Sequence, residues 1–313
     1  MKKSQRLAAV LLILLMLCGC SMPATPNTVV LPQTPAENHT ESAPASAEPA
    51  QTTPETNAFH LEYEQTALPE PLSAVTALTM LEETLLLGGV SETGLALVRL
   101  TPEGCSEELP LPGSTEYLYA LCPDGAGGAW LLCGSLPKGY FDAFGNFRFL
   151  SQEPEGKLAL AHYDAAFALQ EIVLLQTLYT DRFFQLRRLD GGFCMMSASL
   201  LVRLDETGAE TARQSLDAKD GWSFAAMQET DGVLYALTRN FYGIELPELR
   251  KFTPDTLSAL ESDVCTSEIT GLGLRADGRL LMGNSEELFA YDTGSGETET
   301  LVRWQEIGAN VLT

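Results

Sequence analysis

Pro123-Asp124-Gly125-Ala126-Gly127-Gly128-Ala129-Trp130-Leu131-Leu132 reads as a tight turn running into an apolar strand. Asp and Gly supply the turn, because both tolerate backbone conformations that other residues resist. Arg275-Ala276-Asp277-Gly278-Arg279-Leu280-Leu281 is a second copy of the same arrangement. Between and around them the chain repeats one theme: short runs rich in Leu, Val, Ala, Tyr and Phe, each bounded by turn residues. Long amphipathic helical patterns are missing, and only Leu158 to Tyr179 has a helical look. From residue 58 onward the chain therefore reads as all-β.

The turns recur in register. Glu82-Glu83, Asp124-Gly125, Asp190-Gly191, Asp231-Gly232 and Asp277-Gly278 each follow one apolar strand and precede another, with first residues 42, 66, 41 and 46 apart. A second marker follows each: Leu100-Thr101, Tyr163-Asp164, Leu204-Asp205, Phe252-Thr253 and Tyr291-Asp292. Two coupled markers repeated five times in one order define a period of a little over 40 residues. Four strands per such unit are the mark of a β-propeller, whose blades bury one another because one blade cannot cover both of its faces. The expected fold is a propeller of about five to six four-stranded blades, with an incomplete last blade at the C-terminus allowed. A β-sandwich would not produce the period. His60 to Glu64 and Gly308 to Thr313 are left over as candidate closing strands.

The N-terminus sets the expected location. Lys2, Lys3 and Arg6 precede the apolar run Leu7 to Leu17, which is too short to span a bilayer and suits a signal peptide. Leu17-Cys18-Gly19-Cys20 resembles the bacterial lipobox, which implies cleavage after residue 19 and a palmitate-type lipid on Cys20. Residues 20–57 then form a tether. Positions 21–57 hold seven Pro, seven Thr and six Ala and nearly no large apolar side chains, too little to offset the entropy of ordering. Such a segment reaches roughly 35 Å as a coil and about 115 Å as a polyproline rod. The expectation is a domain of residues 58–313 anchored to the cell membrane through lipid and facing outside the cytoplasm. Asn38-His39-Thr40 is read as a chance glycosylation pattern.

The 313 residues carry 19 basic and 42 acidic side chains, a formal net charge of −23. That charge excludes nucleic acid as a partner, since phosphate binding needs a basic patch. No zinc-type spacing, nucleophile elbow or phosphate loop is present, and no metal or cofactor is expected. Gly271-Leu272-Gly273-Leu274-Arg275-Ala276 fits a dinucleotide fingerprint only formally, because it leads into a turn and a strand. Glu82-Glu83, Glu107-Glu108 and Glu286-Glu287 are adjacent pairs, which a strand would send to opposite faces. Of the five cysteines after Cys20, the favoured reading is buried small hydrophobes, with a Cys122–Cys133 bridge conceivable.

One spacing, 66, is longer than the rest and implies about 23 inserted residues, near Ser135 to Glu155. Tyr140, Phe141, Phe144, Phe147 and Phe149 crowd this insertion. Aromatics on a loop suit stacking on a sugar or capping a protein partner, or they fold back as a satellite cluster. The candidate binding residues are Tyr140, Phe141, Phe144 and Phe147.

The two quoted turn segments are similar to the strand-turn-strand core of propellers in bacterial sensor proteins. The whole arrangement resembles the propeller-like N-terminal regions of solute-binding lipoproteins of anaerobic Gram-positive bacteria, a likeness of layout without residue motifs. It implies a role linked to solute uptake, although the importer's solute-binding domain is missing from this sequence. The expected function is a non-enzymatic ligand- or protein-binding module whose partner is an unidentified protein or carbohydrate. The alternative is a propeller enzyme acting on glycans or other extracytoplasmic substrates. A third reading is a truncated remnant of a longer transporter lipoprotein.

Overall fold

The computed structural model describes residues 68–307, apart from 102, 105, 114, 136–138, 142–146, 150–156, 180, 218–219, 241, 244 and 266–267. Cys20, the tether and both candidate closing strands lie outside the described residues, as does Phe144.

Five four-stranded antiparallel sheets follow one another along the chain and form the blades of a propeller. Blade 1 holds β1 (Leu72–Leu81), β2 (Thr84–Ser91), β3 (Gly94–Leu100) and β4 (Ser106–Leu109). Blade 2 holds β5 (Tyr117–Pro123), β6 (Ala129–Gly134), β9 (Leu158–Tyr163) and β10 (Leu169–Leu174). Its insertion contributes a separate hairpin, β7 (Gly139–Phe141) with β8 (Phe147–Phe149). Blade 3 is β11 (Gln185–Leu189), β12 (Gly192–Met196), β13 (Leu200–Asp205) and β14 (Glu210–Ser215). Blade 4 is β15 (Trp222–Thr230), β16 (Val233–Asn240), β17 (Glu248–Phe252) and β18 (Asp263–Val264). Blade 5 is β19 (Gly271–Leu274), β20 (Leu280–Gly283), β21 (Glu287–Tyr291) and β22 (Thr298–Arg303), followed by a 3-10 turn over Trp304–Ile307. The five blades and the all-β class match the reading of the repeat. The stretch from Leu158 to Tyr179 forms β9 and β10 rather than a helix.

Each first marker is the turn between a blade's first and second strands, and each second marker is the turn between its third and fourth. Asp231 and Gly232 both have positive φ, 52° and 70°, in the two-residue loop that suits the twist of paired strands. The second turns are organised by a side chain. Asp164 Oδ1 accepts the Ala166 and Ala168 N–H groups, Asp205 Oδ1 those of Thr207 and Ala209, and Asp292 Oδ1 those of Gly294 and Ser295. An aspartate at this position closes the turn because its carboxylate replaces a backbone acceptor.

The first strands β1, β5, β11, β15 and β19 neighbour one another and line the axis. Register shifts fall within β1, β5 and β15, and such bulges add local twist where the blades converge. The core is a series of layers between blades. Leu86, Leu97, Leu118, Leu131 and Tyr163 fill the layer between blades 1 and 2. Leu132, Leu160, Phe183, Phe193 and Val202 fill the next, Met196, Leu201, Met227 and Leu234 the third, and Leu237, Leu249, Leu272 and Met282 the fourth. A further cluster of Leu72, Leu87, Ala96 and Val98 lies on the flank of blade 1 turned away from blade 2.

Candidate functional site

The chain enters one end of blade 2 through the turn at Asp124 and returns to that end at His162 and Tyr163. Register puts Cys122 opposite Trp130 and Trp130 opposite His162, so the three share one row on the face toward blade 3. On blade 3 the facing row is Arg188 opposite Phe193.

His162 Nε2 lies 2.9 Å from Asp124 Oδ2, with side-chain exposures of 24% and 8%. The imidazole stacks on the Trp130 indole at 4.5 Å and 14°. The indole meets the Phe193 ring edge-on at 4.9 Å. The Arg188 guanidinium caps the stack, 4.6 Å from the Phe193 ring and 6.0 Å from the Trp130 ring. Arg188 Nη2 also donates to Glu206 Oε1 at 2.8 Å. Asp124 Oδ1 accepts the N–H groups of Ala126 and Gly128, at 2.7 and 2.8 Å. Burial opposes ionisation of Asp124. The hydrogen bonds from His162, Ala126 and Gly128 outweigh it and hold the carboxyl below the usual carboxylate range. Gly128 is required here, since a Cβ would stand 2.2 Å from Tyr163 O and 2.5 Å from Asp124 Oδ2.

A carboxylate that holds an imidazole can fix its tautomer and support proton transfer. The neighbouring thiol is no nucleophile: burial pushes Cys122 up to about 12, which keeps it protonated. The layer between blades 3 and 4 opens into a cavity of about 180 Å³, lined by Gln214, Phe224, Glu248, Arg250 and Phe252 among others. That is smaller than the roughly 300–1,000 Å³ usual for metabolite sites. The Arg250–Glu248 pair at 3.0 Å and Lys251 lie in its wall.

The insertion leaves from the opposite end of blade 2, between β6 and β9. Its base is tied down: Ser135 N–H donates to Lys157 O at 3.1 Å, and Tyr119 OH donates to Ser135 O at 2.8 Å. Beside it Arg182 donates to Tyr117 OH and lies 5.3 Å from that ring. The segment from β10 to β11 exposes Leu174, Leu178 and Phe184 at 66%, 45% and 40%. Tyr140 and Phe141 fall in β7 and Phe147 in β8.

Cys122, Cys133, Cys194 and Cys265 are buried thiols, in keeping with the reading as small hydrophobes. The conceivable Cys122–Cys133 bridge is not formed. Cys122 faces blade 3 and Cys133 faces blade 1, on opposite sides of one sheet. The acid pairs are surface groups: Glu107 is bonded to Arg99 at 3.5 Å and Glu287 lies 3.7 Å from Arg303. Gly271 to Leu274 is strand β19, followed by a turn, so it lacks the helix that dinucleotide binding needs.

The sequence matches no protein-family model and no curated protein. Among solved structures, the chain is similar to a protein described as a 6-phosphogluconolactonase from Bacteroides fragilis. The identity is 13% and the TM-score 0.46, over 74% of this chain and 68% of that one. It is also similar to virginiamycin B lyase from Staphylococcus aureus, at 10% identity and a TM-score of 0.41, over 72% of this chain and 83% of that one. Both are propeller structures with enzyme names. The expectation of a non-enzymatic module is therefore corrected. It rested on the lack of a catalytic constellation in the linear sequence, whereas folding joins His162 and Asp124 across 38 residues. The likenesses themselves are to the fold and bring neither named reaction to this chain.

Proposed function

We propose that this protein is a lipid-anchored propeller held outside the cytoplasm, which captures a protein or carbohydrate ligand at the insertion-bearing end of blades 2 and 3. Cys20 carries the lipid, residues 21–57 act as the tether, and an association with solute uptake fits such a placement. The observation that carries the binding role is the exposed Leu174, Leu178 and Phe184 beside the Tyr117–Arg182 pair, next to the insertion's fixed base. Tyrosine and arginine contribute large contact areas at low entropic cost, and the insertion's sequence carries the further aromatics Tyr140, Phe141, Phe144 and Phe147. The test is Tyr140→Ala with Phe141→Ala, assayed for glycan-array and cell-envelope pull-down binding and for unfolding. Loss of capture with stability changed by under about 1 kcal/mol supports the reading. A loss of about 3 kcal/mol or more marks the two rings as core and refutes it.

A second reading is favoured by the Asp124–His162 pair at the other end: a propeller enzyme acting on an extracytoplasmic substrate such as a glycan, with His162 moving a proton. Turnover of cell-envelope glycan that His162→Gln abolishes supports it. Turnover indifferent to that change refutes it.

A further inference from the structure

Around the axis β1 packs on β5, β5 on β11, β11 on β15 and β15 on β19, whereas β19 makes no comparable approach to β1 among the described residues. The four closed seams between blades hold the apolar layers described above. At the fifth seam, between blades 5 and 1, the cluster on the blade 1 side contains residues of blade 1 alone. Both walls of that seam are nonetheless apolar and buried. Register sets Leu87 opposite Val98 on the flank of blade 1 that turns away from blade 2. In blade 5, Met282, Phe289 and Tyr291 pack toward blade 4. Alternation therefore turns Leu288 and Ala290 to the other flank, where Leu288 stands opposite Val302. Val98 and Ala290 are 0% exposed, Val302 4% and Leu87 6%.

Apolar side chains on an open sheet face stay wet until a second layer covers them. These are dry within a single chain, so the cover belongs to the same chain. Residues 1–67 and 308–313 are left to supply it. Leu7 to Leu17 is apolar throughout and has no polar row to leave in water, and positions 21–57 carry hardly any large apolar side chain. In Gly308-Ala309-Asn310-Val311-Leu312-Thr313 the two large apolar residues are neighbours, which a strand sends to opposite faces. Phe59-His60-Leu61-Glu62-Tyr63-Glu64 differs. Phe59, Leu61 and Tyr63 alternate with His60, Glu62 and Glu64, the pattern of a strand with one dry face. Extended, the segment spans about 20 Å, the length of a blade strand. It also arrives at the right place. Leu72 opens β1 beside the seam and its N–H donates to Pro69 O at 2.9 Å, so the chain turns into β1 directly after this segment.

We propose that residues 58–64 close the propeller, lying across the seam with Phe59, Leu61 and Tyr63 wedged between blades 5 and 1 and with His60, Glu62 and Glu64 toward water. The segment is a plug rather than a missing strand, because all five blades already hold four strands.

The experiment uses the full chain carrying Leu61→Asp with Tyr63→Asp, read by thermal unfolding and by hydrogen exchange with mass spectrometry. The melting temperature should fall by at least about 8 °C, since two buried apolar side chains are lost. Exchange should quicken at least about tenfold in the strands that wall the seam, β1–β3 and β20–β22, and stay unchanged in β11–β14. Glu62→Gln with Glu64→Gln, on the water side, should shift the melting temperature by under about 2 °C. Should the double aspartate chain not fold, Leu61→Ala is read in the same way, with a fall of about 4 °C or more. An unchanged melting temperature, or exchange that quickens in blade 3 as much as in blades 1 and 5, overturns the proposal. So does the same opening produced by deleting residues 308–313, which would make the C-terminal segment the plug. A melting temperature that rises with protein concentration would make the cover a second copy and overturn it too.

Discussion

Breaking the Asp124–His162 contact should cost a measurable part of the stability of blade 2. The imidazole nitrogen stands 2.9 Å from a carboxylate that is 8% exposed. A hydrogen bond to a charged group contributes about 1.5–3 kcal/mol net. His162→Ala also removes the stack on Trp130, worth about 0.5–1.5 kcal/mol. Asp124 keeps two N–H donors in the variant, so it is not stranded. The expected loss is about 2–4 kcal/mol. A double-mutant cycle with Asp124→Ala isolates the contact, because the turn hydrogen bonds are lost in both Asp124 arms and cancel. Urea unfolding at pH 7 should give a coupling of about 1.5–3 kcal/mol. The coupling should also depend on acid in one direction. The folded-state pKa of Asp124 lies below its unfolded value. Its contribution is therefore complete above the unfolded pKa and disappears as the pH falls through the folded pKa. A coupling under about 0.5 kcal/mol, typical of exposed ion pairs, would refute the reasoning. So would a coupling that survived as the pH fell through the folded pKa of Asp124.

Gly128→Ala should cost more than about 3 kcal/mol, because a Cβ 2.2 Å from the Tyr163 carbonyl forces the turn apart; thermal unfolding checks it. Cys122 and Cys194, both pushed up to about 12, should resist a thiol reagent such as DTNB at pH 8 in the folded protein and react at once in denaturant. Metabolic labelling with a palmitate analogue should tag the wild type and not Cys20→Ser, and equal labelling would end the anchor proposal.

The blades were legible because their turns depend on residues with special backbone freedom. Asp231-Gly232 and Asp190-Gly191 mark hairpins by composition alone, and the aspartates of the second turns repeat for an equally local reason. The insertion was legible as a break in the period. The site was not. His162 and Asp124 meet only once β6 and β9 pair, and the insertion separates those strands in sequence. The geometry of Cys122 and Cys133 was equally hidden. Cys122 pairs with Trp130, three residues before Cys133 on β6, and an odd offset along a strand turns the two thiols to opposite faces.

The aspartate-closed turns also bear on how the molecule meets acid. The carboxyls of Asp124, Asp205 and Asp292 are all held below the usual range, in three different blades. Each must take up a proton when its turn is released at low pH. A structural unit copied along a chain copies its protonation chemistry as well. Acid therefore acts on blades 2, 3 and 5 together rather than on one weak point, and the steepness of acid unfolding grows with the number of such turns. Proton uptake on unfolding then reports how many of these aspartate-held turns have been released, and the described residues place them in blades 2, 3 and 5.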